Sequence, residues 1–188
     1  MRDARVCDEV SAGGIDEIYQ FAADMGGAGY IFTGENDANV MHNSASINLN
    51  FVNLYDKYHK IFYSSSACIY PEEIQTDPNN PGLKESDAYP ALAEDGYGWE
   101  KLFSERMCRH FSEDFGIVTR VGRFHNVYGP YGTYDGGREK APAAMCRKVI
   151  EAELTGKKDI VIWGDGEQTR SFMYIDDGVK GIIDIMYS

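Results

Sequence analysis

The sequence predicts an α/β fold, a doubly wound parallel sheet with helices on its faces. Short apolar runs alternate with longer stretches of helical periodicity along the chain, and no internal repeat or low-complexity tract interrupts them. Polar, often glycine-bearing loops follow three of the apolar runs, at Asp24-Met25-Gly26-Gly27, Ser64 to Tyr70 and His125-Asn126. Loops at the carboxyl ends of parallel strands are where such sheets bind ligands. The 188 residues suit one domain. A domain of that size hides roughly 70% of its unfolded surface, so it needs neither disulfides nor a structural metal to fold.

Each element follows from its pattern. Ile15 to Ala23 reads as a strand, closed by a glycine turn at Gly26, Gly27 and Gly29. Between Asp37 and Tyr58, Val40, Ser44, Ile47, Phe51, Leu54 and Tyr58 recur at three- and four-residue steps, which predicts a helix with one buried stripe. Lys60 to Ser66 is a second strand, and residues 71–95, rich in Pro, Asn, Asp and Glu, form a surface loop. Tyr97 to Phe115 is a helix stopped by Gly116, and Ile117 to Phe124 a third strand. A Gly/Tyr-rich loop spans Tyr128 to Arg138, and a helix runs from Lys140 to Leu154 with Pro142 in its first turn. Asp159 to Trp163 reads as a strand, Gly164-Asp165-Gly166 as a turn, Ser171 to Ile175 as an extended piece and Asp177 onward as a last helix.

Composition excludes several function classes. A net charge of −12 argues against gripping nucleic acid by its phosphates and against an anionic membrane surface. With 43% hydrophobic and 13% aromatic residues the chain should fold. No apolar run reaches the ~18 residues a membrane span needs, and Met1-Arg2-Asp3-Ala4-Arg5 has no signal-like apolar segment. Cys7, Cys68, Cys108 and Cys146 are scattered without a C-x-x-C pair, so a reducing, cytoplasmic setting is expected. His42, His59, His110 and His125 lack ligand spacing, and no metal is expected.

Tyr97 and Lys101 stand four apart on a predicted helix, which stacks them on one face. A lysine cation beside a phenol favours the phenolate, although bringing a tyrosine from ~10 to ~7 takes roughly 4 kcal/mol. A Y-x-x-x-K pair by itself is common and is more often an exposed helix pair. The Ser-rich strand end Tyr63-Ser64-Ser65-Ser66-Ala67-Cys68-Ile69-Tyr70-Pro71, about 30 residues before it, adds weight.

Together these motifs resemble the extended short-chain dehydrogenase/reductase family, whose members modify nucleotide sugars. Phe21-Ala22-Ala23-Asp24, Tyr128-Gly129-Pro130 and Gly164-Asp165-Gly166 through Ser171-Phe172-Met173-Tyr174-Ile175-Asp176-Asp177 look like further family motifs, in order. Ala22 to Gly27, Ser65 to Glu72, Gly122-Arg123-Phe124-His125-Asn126 and Gly136-Gly137-Arg138-Glu139-Lys140-Ala141-Pro142 are similar to the branch that inverts C3 and C5 of a GDP-sugar.

The resemblance implies a partial Rossmann-like sheet with the start of a smaller substrate domain. Residues 1–130 would form a dinucleotide-binding domain lacking its first β-α-β unit, 131–170 a portion of the substrate domain and 171–188 a return segment. It implies NAD as cofactor and a GDP-sugar as substrate. Tyr97, with Lys101, would take the C4 hydroxyl proton, and Ser66 would hydrogen-bond the reacting hydroxyl. Cys68 would be the base and Lys140 the acid of the inversions. Asp3, Ala22, Ala23, Ser64, Tyr97 and Lys101 would line the cofactor site, and Met25, Gly26, Asn126 and Arg170 the substrate site. Cys68 should then sit in an electropositive, partly exposed place. Arg138, Arg147, Lys148 and Arg170 are candidate cations for a diphosphate.

The resemblance also sets three alternatives beside one another. One is the 3,5-epimerase. Another is a GDP-4-keto-6-deoxymannose epimerase-reductase, which uses a His where this chain has Lys140. The third is an inactive remnant that binds a sugar nucleotide or a partner chain. No glycine-rich phosphate fingerprint precedes Ile15, and the chain stops in the helix after Asp177. Weak or absent NAD affinity is therefore expected, and either a homodimer or other association through the bare edge of the Ile15–Ala23 strand or partial instability.

Overall fold

A computed structural model describes residue 9, residues 13–76 and residues 82–188. Asp3 and Cys7 lie outside the described residues. The elements run β1 (Glu17–Gln20), α1 (Ala28–Ile31), α2 (Asp37–Val52), β2 (Lys60–Ser66), α3 (Asp95–Phe115), β3 (Val118–Phe124), β4 (Asn126–Tyr128), α4 (Ala141–Thr155), β5 (Phe172–Tyr174) and α5 (Ile175–Met186). Short 3-10 turns at Ala67–Ile69, Glu72–Ile74 and Glu85–Ala88 punctuate the segment between β2 and α3.

The main sheet has the order β1-β2-β3, all parallel, with Gln20 beside Tyr63 and Ser66 beside Phe124. β2 is central. Ile61, Phe62 and Tyr63 are all buried, as expected of a strand covered on both faces. On one face Ile61 joins Ile18, Ile47, Phe51, Leu54, Tyr58 and Ile117 in a core beneath α2. On the other, Phe62 meets the rings of Tyr19, Phe21 and Phe124. The end of α5 is tied over the start of the sheet: Lys60 Nζ donates to the Met186 carbonyl at 3.0 Å and Arg120 Nε to that of Ile185 at 3.2 Å. β4 and β5 form a second, two-stranded parallel sheet.

Most boundaries follow the periodicity. β2 spans the predicted residues, and Gly116 ends α3 at φ 73°, in the left-handed region. α2 stops at Val52, earlier than its stripe implies, yet Leu54 and Tyr58 still reach the core from the turns that follow. β1 is shorter than Ile15–Ala23, because the Gln20 side chain captures both backbone groups of Ala22, at 2.9 and 3.0 Å. Asn126 begins a strand rather than a loop. One expectation fails outright: Asp159–Trp163 is not a strand. Among the described residues no strand runs beside it, and Val161 and Trp163 stay 74% and 81% exposed.

Candidate active site

The carboxyl end of β2 builds the centre. The chain leaves the strand at Ser66, whose Oγ accepts the Cys68 backbone N–H at 3.2 Å and caps the turn Ala67–Ile69. That cap holds Cys68, half-buried, at the strand end. The turn is seated on α3: the Glu94 N–H donates to the Cys68 carbonyl at 2.8 Å. One turn further along α3, Gly98 passes so close to that carbonyl that no side chain fits between them.

Tyr97 and Lys101 face inward from α3, one helical turn apart, and both are buried. Lys101 Nζ donates to the Ser64 carbonyl at 2.7 Å and lies over the Tyr63 and Tyr97 rings, 5.0 and 5.7 Å from their centroids. The Ser66 hydroxyl lies near the Tyr97 phenol and the Cys68 thiol and favours the ionised form of each. Next to Lys101, Glu100 turns into a separate buried network, where its Oε1 accepts Asn48 Nδ2 and Ser104 Oγ, each at 2.7 Å.

Lys140 arrives from a remote part of the chain. It caps α4, and the segment before it docks on the loop after β1. Gly27 N–H donates to the Arg138 carbonyl at 3.0 Å, and a Cβ at Gly27 would stand 2.4 Å from the Glu139 carbonyl oxygen. Arg138 stacks on the Tyr30 ring at 4.0 Å and pairs with Asp24 at 3.4 Å. Asp24, Met25, Gly26 and Gly27 thus form the seat of the segment that ends in Lys140, within electrostatic reach of Cys68. The two side chains interact electrostatically: Lys140 favours the thiolate, and the thiolate favours the ammonium.

Burial dominates the titration of the site. It pushes the Cys68 thiol up; the Ser66 hydroxyl opposes this, the Glu94 charge adds to it and Lys140 opposes it. The Tyr97 phenol is pushed well above the usual tyrosine range, first by burial and then by Cys68, against the Ser66 hydroxyl. Lys101 and Lys140 are both pulled below the usual lysine range by burial. At Cys68 desolvation outweighs the neighbouring Lys140 cation, and Glu94 brings a negative charge beside the sulfur.

The remaining candidates are more dispersed. Met25 packs on the cluster of Ile31, Val40 and Tyr97, and Gly26 is buried under Tyr30. Ala22 and Ala23 stand where the chain leaves β1. Asn126 donates to the Ser171 carbonyl at 3.3 Å. Of the candidate cations, Arg147 is taken up by Glu139 and Glu151, and Lys148 donates to the Val161 carbonyl. Arg170 is exposed and donates to the Thr169 carbonyl at 2.7 Å. Sequence reasoning missed Glu94 and Gln75, which fell in a stretch whose composition reads as solvated loop.

The family model described as the NAD dependent epimerase/dehydratase family matches residues 1–188. The chain belongs to that family. It is 49% identical over 172 residues to GDP-mannose 3,5-epimerase of Arabidopsis thaliana, covering 90% of this chain and 44% of the relative. It is also 49% identical over 185 residues to GDP-mannose 3,5-epimerase 1 of Oryza sativa subsp. japonica, covering 96% and 47%. Among solved structures, UDP-N-acetylglucosamine 4-epimerase from Methanobrevibacter ruminantium M1 superposes with a TM-score of 0.73 at 28% identity, covering 92% of this chain and 52% of that one. The chain spans about half the length of the curated relatives it matches. The family's cofactor, NAD, suits the residues present. The Lys101 ammonium has three donors and one hydrogen-bonded protein oxygen among the described residues, which leaves donors for ribose hydroxyls.

Proposed function

We propose that this chain carries the catalytic residues of a GDP-sugar 3,5-epimerase, with GDP-mannose as substrate. The observation that supports this most strongly is the packing of Cys68 against the cluster that contains Tyr97, with the segment leading to Lys140 docked on the adjoining loop at Gly27, by elements far apart in sequence. Bound NAD⁺ would supply reversible hydride abstraction at C4, making that carbon a ketone. Lys101, through its spare donors, and Ser64, Ala22 and Ala23, at the adjoining strand ends, would hold it.

The protein's own groups do the proton chemistry. Tyr97, as phenolate, accepts the C4 hydroxyl proton; Ser66 favours that ionised form against burial and orients the reacting hydroxyl. A ketone at C4 makes the hydrogens on C3 and C5 acidic, because the electron pair left behind delocalises onto the carbonyl oxygen. Cys68, as thiolate, takes such a proton, and the C–H bond breaks. The Lys140 ammonium delivers a proton to the opposite face of the same carbon, which inverts it. A lysine pulled down by burial is a better proton donor than a free one. Met25 and Gly26 would line the sugar pocket, and Asn126 and Arg170 would contact the nucleotide.

Incubation of the chain with GDP-mannose and NAD⁺ should yield the C3- and C5-inverted sugar nucleotides without NADPH. Cys68→Ser and Lys140→Met should abolish them. A requirement for NADPH would favour the epimerase-reductase, and binding without turnover the inactive remnant. The thiol at Cys68 must stay reduced, which favours a reducing compartment such as the cytoplasm. β1 also has a free outer edge among the described residues, with Tyr19 and Phe21 exposed. We infer self-association through this edge, and sedimentation velocity would test it.

A further inference from the structure

Glu94 stands beside Cys68 without a role in the chemistry above. Its backbone N–H holds the Cys68 carbonyl at 2.8 Å, and its Oε1 accepts Gln75 Nε2 at 2.7 Å. The same Gln75 amide reaches the Ala67 carbonyl at 3.4 Å and the Tyr70 carbonyl at 3.2 Å. One amide thus ties both ends of the turn carrying Cys68 to this carboxyl. Glu94 makes no ion pair among the described residues.

The charges around the two groups are few. Glu94 is faced by Glu72 from the neighbouring 3-10 turn, by Asp95 on its own helix, by Arg170 from the loop before β5, and by Cys68. Cys68 is faced by Glu94, by Lys140 at the start of α4, by Tyr97 and Lys101 on α3, and by the Ser66 hydroxyl. Lys140 and Glu94 therefore act on the sulfur with opposite sign.

We propose that Glu94 is a positioning residue for Cys68, fixing the turn through its backbone and, when ionised, keeping the sulfur protonated against the pull of Lys140. This rests on Cys68 being the base, but it concerns thiol chemistry that can be read without turnover. Burial, then Glu72 and Asp95, push the Glu94 carboxyl up to about 7, with Arg170 opposing them. Its charge therefore changes in the pH range where a base must form. A negative charge appearing there moves the thiol's own ionisation to higher pH, so the two groups titrate as a coupled pair.

The test is alkylation of Cys68 by iodoacetamide, resolved by peptide mass spectrometry across a pH series, in the chain and in Glu94→Gln and Glu94→Asp. Glu94→Gln should label Cys68 about threefold faster at pH 8, a shift of about half a pH unit in its midpoint. Glu94→Asp, which keeps the charge, should restore the original profile. Buried Cys108 should stay protected in all three, reporting intact packing. An unchanged or slower Cys68 rate in Glu94→Gln, with Cys108 protected, overturns the proposal. The unsubstituted chain gives an independent reading. Its log rate should rise with a slope below one between about pH 6 and pH 8, as Glu94 ionises. A constant slope of one overturns the proposal whatever the variants do. Loss of epimerisation with these profiles intact would count against the epimerase reading and leave the role of Glu94 standing.

Discussion

Gly98 and Cys68 meet backbone to backbone: a Cβ built on Gly98 would lie 2.2 Å from the Cys68 carbonyl oxygen. The helix bearing Tyr97 and the turn bearing Cys68 are held at contact distance because that position has no side chain. Gly98→Ala should therefore cost about 1–3 kcal/mol in urea unfolding, as overpacking of a tight contact does, and should reduce epimerase activity by moving Cys68 away from Tyr97. Gly29→Ala is the control. Its Cβ would meet Trp163 at an ordinary 3.5 Å, and its stability should change by less than about 0.5 kcal/mol.

Glu94 makes stability depend on pH with a defined sign. Its carboxyl titrates at about 7 in the folded chain against 4.5 ordinarily, so the folded state binds more protons between those values. Stability contributed by this group is then lost as pH rises from about 4.5 to about 7, and regained on acidification. Glu94→Gln should raise the melting temperature at pH 8 relative to the unsubstituted chain and leave it nearly unchanged at pH 4.5. Thermal melts at the two pH values check this.

Lys101 is a buried ammonium with one hydrogen-bonded protein oxygen, the Ser64 carbonyl, among the described residues. Replacing a buried charge by an apolar side chain of similar length removes a desolvation cost as well as a hydrogen bond. Lys101→Met should keep stability within about 1–2 kcal/mol of the original, while kcat falls by about 10²-fold or more. A large loss of stability with kcat retained would assign Lys101 to packing alone.

Much of this architecture was legible in the chain. Lys60–Ser66 could be read residue for residue because the apolar run Ile61-Phe62-Tyr63 sits between a charged start and a Ser-rich end, and α3 because Gly116 marks its end. The Tyr97–Lys101 pairing followed from helical spacing. The seat of Lys140 did not. It depends on Gly27 lying against Glu139, a contact across more than a hundred residues that no local pattern encodes. Asp159–Trp163 misled because a β-like apolar run becomes a strand only beside a partner. Glu94 was hidden because burial, not residue type, gives it its character.

Arg123 and Glu105 supply a purely structural contrast. Arg123 Nη2 lies 2.8 Å from Glu105 Oε2, and the same guanidinium donates to the Tyr70 hydroxyl at 3.0 Å and the Glu85 carbonyl at 2.8 Å. Glu105 is buried, so Arg123→Met strands its charge and should cost about 3–5 kcal/mol. The double variant Arg123→Met/Glu105→Leu should recover most of that loss in urea denaturation.

The central claim, that a thiol and an ammonium exchange protons with a sugar ring beside Tyr97, is tested most directly by incubating the chain with GDP-mannose and NAD⁺ in deuterated water and locating the label by NMR. Deuterium should appear at C3 and C5, and should disappear from both in Cys68→Ser while Cys146→Ser leaves it unchanged. Label that persists at both carbons in Cys68→Ser would contradict the account.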